Sequence, residues 1–362
     1  MSLSALNPIL IVEPEELQQA LKRRYPMYDK DLFKSKWVLI TGGLGFIGSN
    51  LAIKLHQLGA KIEIIDALIP EHGGNLFNVA SIKQYIKIHN FKIEENEAAL
   101  CEIVSRQDFI FNLAGQSNHW DSMMDPKLDL NYNCSSHLTL LEAVRNFNPN
   151  IRVIYSSTRQ IYGKPEFLPV NENHSTQPID INGIHKAAAE QYHLLYHKIY
   201  GLKTVALRLT NTYGPHMRIV DTRQTFLGYW LRCAVEQREF EVWDGAQRRD
   251  FSYIDDVVEA LLLSASNDKS IGKIYNLGSS EHYSLLQVAE LFSEFLNCKY
   301  IVKDFPKNRK SIDIGDYYSD CTLIKNDLNW IPNIDLKTGL KFTFNFLKSH
   351  ICQYTETYAI SE

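Results

Sequence analysis

Cysteine is scarce in this chain of 362 residues, which has six cysteines, far apart and without a C-x-x-C pair. That spacing argues against a zinc ribbon and against a disulfide framework. No apolar run approaches the roughly 20 residues that a membrane-spanning helix needs, and the N-terminus lacks the basic and then apolar order of a signal peptide. We therefore expect a protein that stays in a reducing cytoplasm and holds no metal.

Concentrated positive charge is absent as well. The sequence has 38 Lys and Arg against 42 Asp and Glu, which gives a net charge of -4 at pH 7. Its most basic stretch, residues 303 to 310, is interrupted by Asp304 and is typical of a loop. We therefore expect neither nucleic acid nor a membrane surface as a partner. The hydrophobic content of 45% and the charged content of 22% are ordinary for a globular protein.

The most informative pattern is VLITGGLGFIGS at residues 38 to 49. An apolar strand ends here in Gly42, Gly43, Gly45 and Gly48, and apolar residues then resume with helical spacing. Glycines let the backbone turn tightly and let a pyrophosphate approach, and the N-terminus of a helix offers it unpaired N–H groups. This order of strand, turn and helix predicts a dinucleotide site.

A second apolar strand, residues 61 to 65, ends in Asp66. Its place, roughly 20 residues beyond the glycine turn, is where a carboxylate accepts hydrogen bonds from the adenosine ribose. The same charge repels a 2′-phosphate, so the sequence favours NAD over NADP. A solvated carboxylate at a strand end is the alternative interpretation of Asp66.

Apolar strands alternate with amphipathic helices through the first part of the chain. This alternation predicts an α/β fold with a doubly wound parallel sheet of the Rossmann kind. Beyond about residue 213 the alternation becomes irregular, which indicates a smaller α/β domain that holds a substrate. Besides 61–65, the predicted strands are 85–93, 109–115, 152–155 and 204–209, and the main predicted helices are 135–147 and 183–200.

The same patterns suggest how the chain is divided into domains. A short helix opened by Pro14 is expected in an N-terminal extension. The expected segments are the extension at 1–34, an NAD-binding Rossmann domain at 35–213, and a mainly substrate-binding domain at 214–362, from which residues near 251–278 return to the Rossmann domain.

Several motifs follow the glycine turn and Asp66 in a fixed order. They are NLAG at 112–115, YSST at 155–158, IYG at 161–163 and LRLTNTYGP at 207–215. With them, residues from about 36 to about 348 resemble the extended short-chain dehydrogenase/reductase superfamily, whose members include nucleotide-sugar epimerases, 4,6-dehydratases and decarboxylases. The resemblance implies an NAD-dependent enzyme acting on a nucleotide-diphosphate sugar, and a homodimer formed through the helices at 135–147 and 183–200.

The resemblance also implies a set of ligand-binding residues. Those expected to hold NAD are Gly42, Gly45, Phe46, Ile47, Gly48, Asp66, Leu113, Ala114, Gly115, Ser156 and Lys186. Those expected to bind the sugar nucleotide are Gln116, Thr158, Asn211 and Arg249. A guanidinium suits the phosphate because its fork offers bidentate donors to oxyanions. The alternatives are that Thr158 only caps a turn and that Arg249 serves a surface ion pair.

The main departure from the family lies four residues before Lys186. The family's catalytic tyrosine belongs there, one helical turn away on the same face, but this chain has Asn182. An amide does not titrate in the working range, so Asn182 orients a hydroxyl or a water without taking its proton. Loss of a general base typically costs roughly 10²- to 10⁴-fold in rate.

Three side chains are candidates to replace that tyrosine. His185 lies three residues after Asn182, on roughly the same face of the helix, and histidine is the side chain that titrates near neutral pH. Tyr162 follows Thr158 by four residues, and His119 comes shortly after the strand that ends in NLAG. We place His119 and Tyr162 ahead of His185, for which an exposed or dimer-facing position is the alternative.

A second departure narrows the chemistry. The 4,6-dehydratases carry an Asp-Glu pair directly after the threonine, and here those positions hold Arg159 and Gln160. Neither side chain is a carboxylate acid or base, so we expect an epimerase that acts through a transient keto-sugar and recycles NAD in place. The alternatives are a dehydratase or decarboxylase of unusual mechanism, or a catalytically impaired protein that binds NAD and a sugar nucleotide.

Overall fold

A computed structural model of the protein describes residues 28–70, 72–223, 225–310 and 312–355. The helix predicted near Pro14 lies outside these residues. In the part of the chain that is described, no helix is long and apolar enough to cross a membrane.

Seven parallel strands form the central sheet and confirm the predicted doubly wound fold. They are β1 (Trp37–Thr41), β2 (Lys61–Ile65), β3 (Ile86–His89), β4 (Phe109–Asn112), β5 (Arg152–Thr158), β6 (Lys203–Leu209) and, from later in the chain, β10 (Ile274–Leu277). Their order is β10-β6-β5-β4-β1-β2-β3. The strand order reverses between β1 and β4, and ligands bind at the carboxyl ends of the strands at such a switch point.

Thirteen α-helices are found among the described residues. They are α1 (Phe46–Gln57), α2 (Glu97–Ser105), α3 (His119–Met124), α4 (Pro126–Leu130), α5 (Ser136–Phe147), α6 (Ile181–Tyr200), α7 (Phe226–Val235), α8 (Ile254–Ser266), α9 (Leu285–Leu296), α10 (Lys307–Lys310), α11 (Thr322–Leu328), α12 (Leu336–His350) and α13 (Cys352–Thr355). Apolar cores lie on both faces of the central sheet: α1 and α8 cover one face, and α2 and α5 cover the other.

The ends of α6 follow from its sequence. The Asp180 side chain accepts a hydrogen bond from the Gly183 amide at the beginning of the helix, and Gly201 adopts a left-handed conformation after its last residue. An acidic N-cap and a glycine after the last turn are the usual start and stop signals of a helix. They fix Asn182 and Lys186 in the first two turns, at the end of the helix that faces the switch point.

Two small sheets build the remainder of the described chain. Their strands are β7 (Asn211–Tyr213), β8 (Phe240–Trp243), β9 (Arg248–Tyr253), β11 (His282–Ser284) and β12 (Tyr300–Lys303). β9 lies between β11 and β7, and β8 pairs with β12. Asn211 and Arg249 therefore come from neighbouring strands of one small sheet.

Two strands are shorter than the sequence indicated. β4 ends at Asn112 rather than continuing to residue 115, because the Thr41 hydroxyl accepts hydrogen bonds from the Leu113 and Ala114 amides at 3.1 Å each. The Leu113 amide still makes one backbone bond, to the Thr41 carbonyl at 3.2 Å, whereas the Ala114 amide bonds to the side chain instead of extending the ladder. The strand expected at 85–93 covers only Ile86–His89 and is followed by a short 3-10 turn.

Candidate active site

A cavity of about 980 Å³ lies where the carboxyl ends of the central strands meet the two small sheets. Most of the residues expected to bind NAD or the sugar nucleotide line it. The expected residues on its wall are Gly42, Gly45, Phe46, Ile47, Gly48, Asp66, Leu113, Ala114, Gly115, Gln116, His119, Ser156, Thr158, Asn182, Lys186, Asn211 and Arg249. Tyr162 and His185 are the two expected site residues that are not on this wall.

The glycine turn at one end of the cavity has room only for glycine. Gly42 has a φ of +68°, and a Cβ atom there would lie 2.9 Å from the Ala114 backbone nitrogen. A Cβ at Gly48 would lie 2.4 Å from the Gly42 carbonyl oxygen. α1 begins at Phe46, directly after this turn, so its unpaired N–H groups border the cavity. This cradle fits a pyrophosphate.

Asp66 stands beside the glycine turn. One carboxylate oxygen accepts a hydrogen bond from the Leu68 amide at 2.9 Å and the other from the Leu44 amide at 3.0 Å. Burial raises the pKa of Asp66, and these two amide bonds act in the opposite direction. Since each carboxylate oxygen accepts more than one bond, the fixed carboxylate can still accept ribose hydroxyls, and the site fits a dinucleotide.

A buried polar cluster lies beneath the middle of the cavity, and nothing in the sequence pattern had indicated it. The Thr41 hydroxyl donates to Asn112 at 2.9 Å, and the Asn112 amide approaches His137 at 2.8 Å and His193 at 3.3 Å. Burial lowers the pKa of His193 to about 4, with smaller effects from its bond to the Ala189 carbonyl and from the charge of Lys186. The cluster holds the turn after β4 in place through neutral histidines.

Asn182 lies in a second buried network. Its side-chain nitrogen donates to the Gln116 carbonyl at 3.0 Å and to the Asp129 carboxylate at 3.3 Å. Because both N–H bonds are used, the amide oxygen is the atom that can accept a bond from a ligand hydroxyl. This arrangement can orient a substrate but supplies no base.

Asp129 is the centre of that network and was missed by the sequence analysis. Its carboxylate accepts hydrogen bonds from Gln116 at 2.5 Å and Asn133 at 2.9 Å, and it lies 2.6 Å from Nδ1 of His185. The side chain of Asp129 is almost completely buried. His185 is therefore held against Asp129, away from the cavity wall.

Tyr162 is also placed away from the cavity. Its hydroxyl donates to Asn276 at 2.7 Å and accepts a bond from Arg208 at 2.6 Å, and Arg208 in turn pairs with Glu190 at 2.6 Å. Burial raises the pKa of Tyr162 to about 12, although the positive charge of Arg208 acts against it. A buried phenol with both hydrogen-bonding roles in use is poorly suited to be the base, so we do not propose Tyr162 for that role.

His119 is the candidate base that does line the cavity. Its side chain is 38% exposed, and its Nδ1 atom lies 3.0 Å from a carboxylate oxygen of Asp180, with the ring turned off the ideal hydrogen-bond direction. Burial acts to raise the pKa of Asp180, but the interactions with His119, the Gly183 amide and Gln160 outweigh it and hold the pKa below its usual range. An ionised Asp180 thus faces one nitrogen of His119 and leaves Nε2 for a ligand.

Lys186 lies one helical turn beyond Asn182. Among the described residues its ammonium group makes no hydrogen bond or ion pair, and it lies 5.4 Å from the centre of the Tyr155 ring. Burial lowers the pKa of Lys186 to about 8, and the charge of Asp129 acts in the opposite direction. A buried ammonium group on the cavity wall is available to ribose hydroxyls.

Thr158 ends β5 at the cavity wall. Its hydroxyl oxygen accepts a bond from the Gln160 amide at 3.2 Å and so caps the following 3-10 turn. Thr158 therefore has the capping role that was the alternative interpretation of the sequence, but this role uses only its hydroxyl oxygen. The hydroxyl hydrogen is still available to a ligand.

Asn211 and Arg249 meet at the opposite end of the cavity. Asn211 donates to the Asp250 carbonyl at 2.9 Å and accepts a bond from Arg159 at 3.0 Å. Arg249 pairs with Asp313 at 3.0 Å, but the arginine is only 7% exposed, so this is not a surface pair. Burial, and then the charge of Arg159, lower the pKa of Arg249 to about 10. The buried guanidinium of Arg249 and the half-buried one of Arg159 beside Asn211 suit an anionic ligand.

Comparison with known proteins gives a consistent result. The model of the NAD dependent epimerase/dehydratase family matches residues 38–278. A putative UDP-glucose 4-epimerase of Methanocaldococcus jannaschii is 30% identical over 318 residues, which cover 86% of this chain and 99% of that protein. CDP-paratose 2-epimerase of Salmonella typhi is 30% identical over 339 residues, again covering 86% of this chain and 99% of that protein.

Similarity extends to solved structures. The crystal structure of a UDP-glucose 4-epimerase of Thermotoga maritima with UDP-glucose superimposes with a TM-score of 0.80 at 28% identity, covering 87% of this chain and 99% of that chain. The resemblance drawn from the motifs is therefore confirmed.

Proposed function

Because the chain belongs to the NAD-dependent epimerase/dehydratase family, we propose that it is an enzyme that epimerises a nucleotide-diphosphate sugar through a transient keto-sugar. The observation that carries the proposal is that the glycine turn, Asp66, Thr158 and Arg249 line one cavity of about 980 Å³. That volume is at the upper end of the range for small-molecule sites, as expected where a cofactor and a sugar nucleotide bind together.

NAD, when bound, supplies the acceptor and donor of hydride for the reacting sugar carbon. The glycine turn with Phe46 and Ile47 would hold its pyrophosphate, and Asp66 its adenosine ribose. Residues Leu113 to Gly115 and Ser156 would contact its middle, and Lys186 its nicotinamide ribose. The carboxylate of Asp66 is what disfavours the 2′-phosphate of NADP.

The sugar nucleotide would be anchored at the other end of the cavity. Arg249 is buried and positively charged, and Asn211 on the neighbouring strand lies beside it, so these two residues suit the diphosphate. Gln116, whose backbone carbonyl already holds Asn182, lies nearer the sugar. The anchors leave the sugar between Arg249 and Thr158.

Side chains of the protein itself accept and return the proton of the reacting hydroxyl. Thr158 donates to the oxygen of the reacting hydroxyl, and Nε2 of His119 accepts its proton as the adjacent C–H bond breaks. The amide oxygen of Asn182 accepts a bond from a neighbouring hydroxyl of the sugar. Asp180, next to the other nitrogen of His119, stabilises the imidazolium that forms. His119 returns the proton to the carbonyl oxygen after the sugar presents its other face, so the protein ends in its starting state.

Epimerisation is preferred to dehydration because the two positions after Thr158 lack carboxylates. Arg159 donates to Asn211, and Gln160 donates to Asp180 at 2.6 Å. A second candidate function is binding of NAD and a sugar nucleotide without turnover. The observation that favours it is Asn182, which is held by Gln116 and Asp129 and cannot take a proton.

Proton NMR on a panel of nucleotide sugars distinguishes these functions. With NAD-loaded protein, an epimerase produces a second sugar spin system, and the mass of the nucleotide sugar stays constant. Loss of water or of carbon dioxide from the product would indicate a dehydratase or a decarboxylase. Thermal stabilisation by a nucleotide sugar without any chemical change would support the binding protein and contradict the epimerase.

We also propose a cytoplasmic homodimer formed through α5 and α6. These helices carry exposed apolar side chains, namely Phe147, Ile184, Leu195, Ile199 and Tyr200, with exposures from 48% to 61%. Several exposed apolar side chains on two neighbouring helices support a protein interface there. Light scattering after gel filtration should give twice the monomer mass of 41.7 kDa, and Leu195→Glu together with Ile199→Glu should give the monomer. A monomeric wild-type protein would contradict this proposal.

A further inference from the structure

Arg159 is the first residue after Thr158, and its side chain lines the cavity. The proposed function gives it no role. Consecutive Cα atoms are about 3.8 Å apart, so Arg159 starts beside the group that holds the reacting hydroxyl. Its guanidinium reaches Asn211, one of the two proposed diphosphate anchors, at 3.0 Å. The side chain therefore runs from the reacting end of the sugar towards the diphosphate, alongside the sugar itself.

The guanidinium of Arg159 has two contacts that restrict its position. Besides the bond to Asn211, its central carbon lies 5.3 Å from the centre of the Tyr317 ring, and Tyr317 is fully buried. A guanidinium over an aromatic ring is attracted by the ring face. The ring and Asn211 therefore favour one placement of the group before any ligand arrives.

Most of the N–H donors of Arg159 have no partner among the described residues. A guanidinium carries five N–H bonds, and the bond to Asn211 is the hydrogen bond that Arg159 donates within the described residues. Nη1 is buried without any hydrogen-bond partner in that part of the chain. Burial lowers the pKa of Arg159. A buried charged donor left unpaired is costly, so the site favours an oxyanion.

The nearby carboxylates do not satisfy it. Asp313 pairs with Arg249 at 3.0 Å, and one oxygen of Asp250 accepts the Ser319 amide at 2.9 Å. Asp250 is close enough to attract Arg159, but no ion pair within 4.0 Å joins Arg159 to a carboxylate of the described residues. The other oxygen of Asp250 also lacks a partner within the described segments, so a water-linked pair between Arg159 and Asp250 is the competing explanation.

We propose that Arg159 binds a carboxylate on the sugar, so that the substrate is a nucleotide-linked acidic sugar rather than a neutral one. The inference rests on the proposed function and adds the substrate class. A sugar carboxylate is an oxyanion between the reacting carbon and the diphosphate, which is the span that the Arg159 side chain covers between Thr158 and Asn211, and it matches the fork of two parallel donors. The diphosphate is the other oxyanion of such a ligand, and Arg249 and Asn211 are already proposed to bind it.

Two matched ligand pairs test this inference on NAD-loaded protein by calorimetry: UDP-glucose with UDP-glucuronic acid, and GDP-mannose with GDP-mannuronic acid. In whichever pair binds, we expect the acidic sugar to have an affinity about 10- to 100-fold higher than that of the neutral sugar. This factor is the usual effect of hydrogen bonds to a charged group. In Arg159→Met the preference should fall towards 1. Arg159→Lys, which keeps the charge but loses the fork, should retain part of it.

The possible failures are distinguishable. If neither member of either pair binds and no nucleotide sugar of the NMR panel stabilises the protein, the proposed function and this inference both fail. If both members bind equally to the wild-type protein, only this inference fails. If Arg159→Met weakens acidic ligand, neutral ligand and free UDP by the same factor, Arg159 is a diphosphate anchor. If it lowers thermal stability while the preference persists, the arginine is the structural partner of Asp250, and the inference is overturned.

Discussion

The carboxylate of Asp180 both caps α6 and lies 3.0 Å from the ring of His119. One acidic side chain thus caps the helix that carries Asn182 and Lys186 and also lies against the histidine at the beginning of that helix. The helix start and the proposed acid/base residue are therefore not independent. A change at Asp180 would alter both.

His119→Ala should lower turnover by about 10²- to 10⁴-fold, the usual contribution of a general base. NAD affinity should change little, because the histidine lies at the sugar end of the cavity. Single-turnover rates measured from pH 5 to 9, with and without added imidazole, check this, and imidazole should restore part of the rate. His56→Ala is the matched control, since His56 stacks on Tyr85 away from the cavity. Unchanged turnover in His119→Ala would remove the histidine from the mechanism.

Tyr162→Phe tests whether Tyr162 serves the stability of the fold or acts as the base. The change removes the bonds of the hydroxyl to Asn276 and Arg208, and a buried partner left unpaired costs about 1–3 kcal/mol. We expect the free energy of unfolding to fall by that amount in urea titrations. Turnover of the folded variant should stay within about threefold of wild type, because the ring does not reach the cavity. A loss of turnover by several orders of magnitude at unchanged stability would restore Tyr162 as the base.

Stability should depend on pH through the buried histidines. The folded-state pKa of His193 is about 4, against about 6.5 for an unperturbed histidine, so the unfolded chain binds more protons between these values. The free energy of unfolding therefore falls as the pH drops from about 6.5 towards 4, by about 3 kcal/mol for this group alone. Urea titrations at several pH values should show a shallower fall in His193→Gln than in wild type, and equal slopes would contradict the assignment.

Asp66→Asn should change the cofactor preference. Removing the charge weakens hydrogen bonds from the adenosine ribose and removes the repulsion of a 2′-phosphate. We expect the preference for NAD over NADP to fall by about 10- to 100-fold, measured by titration of the apoprotein with each dinucleotide. An unchanged ratio would mean that the carboxylate serves only its two backbone amides, Leu44 and Leu68.

The parts of the site that the sequence predicted are local. The glycine turn, the strand before it and the helix after it involve neighbouring residues, so spacing alone indicates their geometry. The parallel sheet also followed from the alternation of strands and helices, because parallel strands need crossover connections. The shorter β4 was not predictable, since the Thr41 hydroxyl that ends it belongs to another strand.

The sequence by itself determined the fold class, the glycine turn after β1, the acidic residue after β2 and the replacement of tyrosine by Asn182. Tertiary structure decided which side chains surround that asparagine. Asp129, which bonds to Asn182, lies in a different helix. His119 and Tyr162 were equal candidates on spacing, but His119 lies on the cavity wall and Tyr162 is buried in the core. The physical reason is that the periodicity of a sequence reflects contacts between residues a few positions apart. The contacts around Asn182 depend instead on the order of the strands in the sheet and on the direction in which each connecting turn points its side chains.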